Sequence, residues 1–137
     1  MGFEWVLRRD AVTAVSERAP RTGDAVDWPE WLGGAAAARL EAAGYPRPWR
    51  HQAEFADALY RGHHAMVCTP TGSGKTLGYL LPILAAAEGR LGVPLSGDLP
   101  RLGAPRHTAL YLAPTKALAH DQARAAAGLG PKGWRIG

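Results

Sequence analysis

The chain has 137 residues, a formal net charge of +4 and a pI near 9.6, with 16 Lys and Arg spread along it and no run of like charge. That balance permits a polyanionic partner without demanding one, and it excludes a charged tail. The N-terminus has no hydrophobic signal core, and the apolar stretch from Leu77 to Ala87 is too short to span a bilayer, so no membrane association is expected and the cytoplasm is the default compartment.

Residues 1–27 are mixed and polar, with turn formers at Pro20, Gly23 and Asp24, and predict an extended lead-in. Asp27-Trp28-Pro29-Glu30-Trp31 predicts a helix start, with Asp27 as the cap and Pro29 in the first turn. Ala35 to Ala43 is helix-forming and stops at Gly44. A second helix is expected from about His51 to Tyr60, with Phe55, Ala56, Leu59 and Tyr60 on one apolar face and Gly62 ending it. Trp28, Trp31 and Trp49 have the rings of base-stacking platforms, but packing of the N-terminal helices is the stronger expectation for them.

Ala65-Met66-Val67-Cys68 reads as a short buried strand, with Cys68, the only cysteine, as a small buried thiol in a reducing compartment. His63, His64 and Cys68 lack a fourth ligand at workable spacing, so zinc is not expected there.

Thr69-Pro70-Thr71-Gly72-Ser73-Gly74-Lys75-Thr76 follows that strand and has the form of a phosphate-binding loop. Gly72 and Gly74 free the backbone to turn its N–H groups onto phosphates, Lys75 is placed to reach the β- and γ-phosphates, and the Thr76 hydroxyl to ligate Mg²⁺. Thr69 stands where the general pattern has Gly. The run from Thr76 to Leu84 continues as an apolar helix whose N-terminus faces the phosphates. Only three of the 16 cations are lysines, and two of these, Lys75 and Lys116, fall in motifs where a compact ammonium suits phosphate.

Gly89 to Pro105 is long for a βαβ connection. Thr108 to Ala113 predicts a second strand, and a further helix is expected from about Lys116 to Ala127. Strand, helix, strand, helix in this order indicates a parallel sheet with right-handed crossovers, hence an α/β fold of the P-loop type behind an N-terminal helical extension. Two strands cannot close such a sheet. After Lys75 the only acids are Glu88, Asp98 and Asp121, and none ends an apolar strand as a second Mg²⁺ anchor would. The expectation is an N-terminal part of a larger enzyme, able to bind a nucleotide and unable to turn it over alone.

The loop Thr69 to Thr76 resembles motif I of the superfamily 2 DEAD/DEAH-box helicases, where the first position is commonly Ala or Thr. Gln52, 23 residues before Lys75, matches that family's adenine-reading glutamine, whose amide both donates and accepts. Ala113 to Gln122 is similar to motif Ia, which implies that Pro114, Thr115 and Lys116 contact a nucleic-acid backbone. The phrases Asp27 to Trp31, Arg50 to Glu54 and Pro114 to Gln122 look like those of the RecQ-four-like DNA helicases with a C-terminal zinc-binding domain.

The resemblance spans about residues 20–125. It implies that residues 28–137 are the first part of a RecA-like ATP-binding domain that stops before motif II, using ATP and Mg²⁺. The partner would be single-stranded or partly duplex DNA in preference to RNA, with translocation 3′ to 5′ and a place in DNA repair. Motifs II to VI and a C-terminal helicase domain are missing from the sequence. Two other classes stay open: a P-loop small-molecule kinase, which explains motif I but not Gln52 or the Pro114 to Gln122 phrase, and a non-catalytic nucleic-acid-binding fragment.

Overall fold

A computed structural model describes residue 16 and residues 23–70, 72–90 and 108–137. The lead-in before residue 23 apart from Ser16, Thr71 of the loop, and residues 91–107 of the long connection lie outside the described residues.

From residue 23 the chain runs extended against residues 47–50. Ala25 and Trp49 form an isolated antiparallel bridge, the Val26 N–H donates to the Pro48 carbonyl at 3.0 Å and the Arg50 N–H to the Asp24 carbonyl at 2.7 Å. Pro48 has no N–H to give, so its carbonyl alone serves this pairing, and its ring is fully buried. The Arg50 guanidinium also pairs with the Asp24 carboxylate and holds it below the usual carboxylate range.

The first turn is a 3₁₀ segment, Glu30–Leu32, preceded by Pro29 as its cap residue and without any side-chain cap. Asp27 therefore does not cap it: extended Pro29, at φ −57° and ψ 134°, leaves Asp27 too far upstream, and its carboxylate faces Arg47 at 3.3 Å instead. Helix α1 (Gly34–Ala42) buries Ala36 and Leu40, one turn apart on one stripe, and the chain leaves it through Gly44 at φ 92°. Helix α2 (Arg50–Tyr60) follows, and α3 (Lys75–Ala87) is the most apolar element, burying Leu77, Leu80, Leu81, Leu84 and Ala85 and continuing through Pro82.

Helix α4 (Lys116–Leu129) is capped by the Thr115 hydroxyl, which accepts from the Leu118 N–H at 3.2 Å. Its last residue, Leu129, joins Leu32, Ala36, Leu40, Ala56 and the leucines of α3 in one core. Arg39 fastens that end from α1. Its Nε donates to the Leu129 carbonyl at 3.2 Å while its guanidinium pairs with Glu88, which also faces Arg90 at 3.5 Å. Trp28 and Trp31 pack against the core and satisfy their indole N–H groups on Glu41 and Asp57, at 3.1 and 3.2 Å, and Trp31 stacks on Tyr60 at 4.2 Å. Trp49, by contrast, is exposed.

No strand forms among the described residues, so the expected strands at Ala65–Cys68 and Thr108–Ala113 are without ladder partners. Met66, Leu110 and Leu112 are 88%, 84% and 81% exposed, and Cys68, expected as a buried thiol, is exposed too. The cause is common to all four: a strand buries its side chains only between neighbouring strands and covering helices, and nothing described pairs with these segments. No described helix is long and apolar enough to cross a membrane.

Candidate functional site

The loop before α3 turns on two glycines with positive φ, Gly72 at 81° and Gly74 at 75°, a region that other residues enter only with strain. Gly74 is also the N-cap of α3, and a Cβ there would lie 2.5 Å from Gln52 Nε2. Thr69 and Ser73 join their hydroxyls across the loop at 2.6 Å. The Lys75 ammonium folds back over it, donating to the carbonyls of Thr69 and Pro70 at 2.7 and 2.9 Å. A nucleotide phosphate brought to this loop would compete with those carbonyls for the same ammonium. Thr71 lies outside the described residues, so seven of the eight predicted loop residues are placed.

Helix α2 meets the loop because Gly78 on α3 lets the helices close: a Cβ there would stand 2.8 Å from Phe55 Cδ1 and 3.4 Å from the Gln52 carbonyl oxygen. Gln52 is the buried polar residue of the core region, 4% exposed. Its Oε1 accepts from the Trp49 N–H at 2.8 Å, as a third-position residue does for a helix N-terminus, and its Nε2 donates to the Gly74 carbonyl at 2.8 Å. A donor on one side and an acceptor on the other fix which end of the amide is oxygen. One lone pair on Oε1 and one N–H on Nε2 are left over from these two bonds.

Gln52 opens onto a pocket of about 360 Å³ that Ala25, Tyr45, Arg47, Trp49 and Leu77 also line. Tyr45 and Trp49 are each 42% exposed. The neighbouring His51 holds its Nε2 3.1 Å from the Ser73 carbonyl.

Pro114, Thr115 and Lys116 are exposed at the start of α4. The Thr115 oxygen is engaged as the helix cap, but its O–H is still a donor, so capping and phosphate contact are compatible uses of one hydroxyl. The structure connects this segment to α3 through Tyr79, whose hydroxyl donates to Gln122 Oε1 at 2.6 Å and whose ring lies 5.4 Å from that of Tyr111. Burial pushes the Tyr79 hydroxyl up to about 12, with Tyr111 adding to the rise and Thr76 opposing it.

Sequence reasoning singled out Gln52, the loop and Pro114 to Lys116, and passed over His51 and Tyr79. Tyr79 follows Thr76 by three positions, the spacing at which helical side chains meet, and His51 adjoins Gln52; those two neighbourhoods were the available signals. Among the described residues no group of three or more His, Cys, Asp and Glu is arranged to hold a metal ion.

The family model for the DEAD/DEAH box helicase matches residues 49–136. The chain is 34% identical over 106 residues to the uncharacterized ATP-dependent helicase YprA of Bacillus subtilis, covering 77% of this chain and 12% of that protein. It is 36% identical over 76 residues to the ATP-dependent helicase hrq1 of Schizosaccharomyces pombe, covering 56% of this chain and 6% of that one. With the human probable ATP-dependent RNA helicase DDX28 it shares 43% identity over 81 residues, 59% of this chain and 14% of the relative. The chain thus spans a small part of the curated relatives it matches. No solved structure matches it.

Proposed function

The chain belongs to the DEAD/DEAH box helicase family, and from that premise we propose that residues 69–76 and Gln52 form the ATP site of a DNA helicase or translocase. The observation that carries this reading is the bond from Gln52 Nε2 to the Gly74 carbonyl, which joins a purine-reading amide to a phosphate loop 22 residues further along the chain. In this reading Gln52 reads adenine and Gly72, Ser73 and Gly74 turn backbone N–H groups to the phosphates, with Thr69, Pro70 and Thr71 completing the loop. Lys75 leaves the Thr69 and Pro70 carbonyls for the β- and γ-phosphates. Thr76 would hold Mg²⁺ through its hydroxyl, and the ion would supply neutralisation of the phosphate charge.

Residues 28–137 are, on the same reading, the first part of a RecA-like domain in which 65–68 and 108–113 become parallel strands. The exposure of Met66, Leu110 and Leu112 supports this, since these apolar side chains suit a covered sheet. Pro114, Thr115 and Lys116 then hold a nucleic-acid backbone. Single-stranded or partly duplex DNA is favoured by the phrases that resemble those of RecQ-four-like helicases, while the similarity to a probable RNA helicase, DDX28, makes RNA the necessary control.

The test is ATP hydrolysis by the complete gene product with single-stranded DNA, with RNA and with neither. DNA should stimulate it most, and Lys75→Ala should abolish it, because the developing phosphate charge loses its fixed cation. These 137 residues by themselves should bind ATP without turnover. Hydrolysis by Lys75→Ala within about twofold of wild type, a few tenths of a kcal/mol in barrier, would contradict the assignment. Greater stimulation by RNA would reassign the substrate.

A further inference from the structure

We propose that His51 is a positioning residue for the phosphate loop: by holding the Ser73 carbonyl it aims the Gly74 N–H at the nucleotide phosphates. This rests on the reading of residues 69–76 as an ATP site. The carbonyl oxygen has only lone pairs, so His51 Nε2, 3.1 Å away, is the donor. No peptide bond among the described residues is cis. In a trans peptide the C=O and the following N–H point in opposite directions, so fixing the Ser73 carbonyl toward α2 turns the Gly74 N–H away from α2.

Gln52 does the same one residue later: its bond to the Gly74 carbonyl at 2.8 Å turns the Lys75 N–H. Two consecutive residues in the first turn of α2 thereby hold two consecutive peptide planes of the loop. The need for such restraint is local. Gly74 adopts a left-handed conformation at φ 75° and ψ 27°, and a glycine peptide flips more freely than any other. An N–H that is already oriented costs no reorganisation when the phosphate arrives.

His51 therefore differs from Gln52 in what it controls. Gln52 lines the pocket and binds the loop, whereas His51 hydrogen-bonds the loop and does not line the pocket, so its removal should weaken every nucleoside diphosphate equally and leave base preference intact. The experiment measures ADP and GDP affinity of the complete gene product by competition with a fluorescent ADP analogue, for wild type, His51→Phe, His51→Gln and Lys75→Ala. His51→Phe keeps the ring but loses the donor, and ADP affinity should fall about three- to tenfold, the worth of one hydrogen bond. The ADP to GDP ratio should stay within about twofold of wild type. His51→Gln, whose amide N–H reaches a similar place, should restore most of the loss. His51→Ala is read the same way should phenylalanine disturb α2.

Unchanged ADP affinity in His51→Phe, a glutamine variant as weak as the phenylalanine one, or a collapse of the ADP to GDP ratio would each overturn the positioning role. Wild-type protein that binds no ADP, or binds it equally well as Lys75→Ala, would overturn the ATP-site reading itself and this inference with it. A Lys75-dependent site indifferent to His51→Phe would overturn this inference alone.

Discussion

Gln52 shows how one buried amide meets two demands. Its oxygen closes the first turn of α2 on the Trp49 N–H and its nitrogen ties the loop at Gly74, and the residue lines a pocket that Tyr45 and Trp49 also line. That orientation is imposed by the protein itself, the preorganisation that the proposed reading of adenine would require. Tyr79 stands at the other side of the loop helix and carries the clearest titration signature. Burial holds its hydroxyl neutral up to about 12, against 10.0 for a free tyrosine. A raised pKa on an acid means that its contribution to stability is complete below the unfolded value near 10 and is lost as pH rises toward 12. Ultraviolet titration of tyrosinate should therefore show one late-ionising tyrosine, absent in Tyr79→Phe. A late-ionising step that persists in Tyr79→Phe, or is missing in wild type, would disprove the burial of this hydroxyl.

Among the elements, the helices were legible from sequence and the strands were not. Helix α2 covers the expected His51 to Tyr60 with Arg50 added, and α4 begins at the expected Lys116, because apolar spacing, caps and stops are local signals. Pro29 illustrates the limit: the sequence predicts Asp27 as the cap with Pro29 in the first turn, but the turn starts later and Pro29 itself takes the cap position. Strand hydrogen bonds join distant segments, so an apolar run such as Thr108 to Ala113 states a preference that only neighbours can realise. The start of α4 carries its own prediction. Thr115→Ala with Lys116→Ala should weaken single-stranded DNA binding about equally for different sequences, since hydroxyl, N–H and ammonium read phosphate and not bases. The salt slope should become shallower by roughly 0.7 for the one lost cation. Because Thr115 also caps α4, its loss should cost about 1 kcal/mol in unfolding experiments, and Thr115→Asn should keep the cap. A binding loss confined to one DNA sequence, or an unchanged slope, would show that this loop serves the fold only.

At the scale of the whole molecule, a leucine core gathers α1, α2, α3 and the end of α4, and the loop and Gln52 sit where α2 and α3 close on each other. The residues of the candidate site stood out in the sequence because each of its parts is a short motif with a fixed chemistry. The contact between the parts was legible only as a spacing, since Gly78, which permits the approach, looks in sequence like any helical glycine. His51 and Tyr79 escaped because a histidine or tyrosine carries no role until its partner is seen. The central claim is that the Gln52 amide and the phosphate loop constitute one adenine-nucleotide site. Competition of ATP and GTP against a fluorescent adenine nucleotide, in wild type and Gln52→Ala, addresses it most directly. ATP should displace the probe at far lower concentration than GTP, and Gln52→Ala should weaken ATP and shrink that preference, because the groups that tell the bases apart are gone. Equal competition by ATP and GTP in wild type, or a preference that survives Gln52→Ala undiminished, would contradict the account.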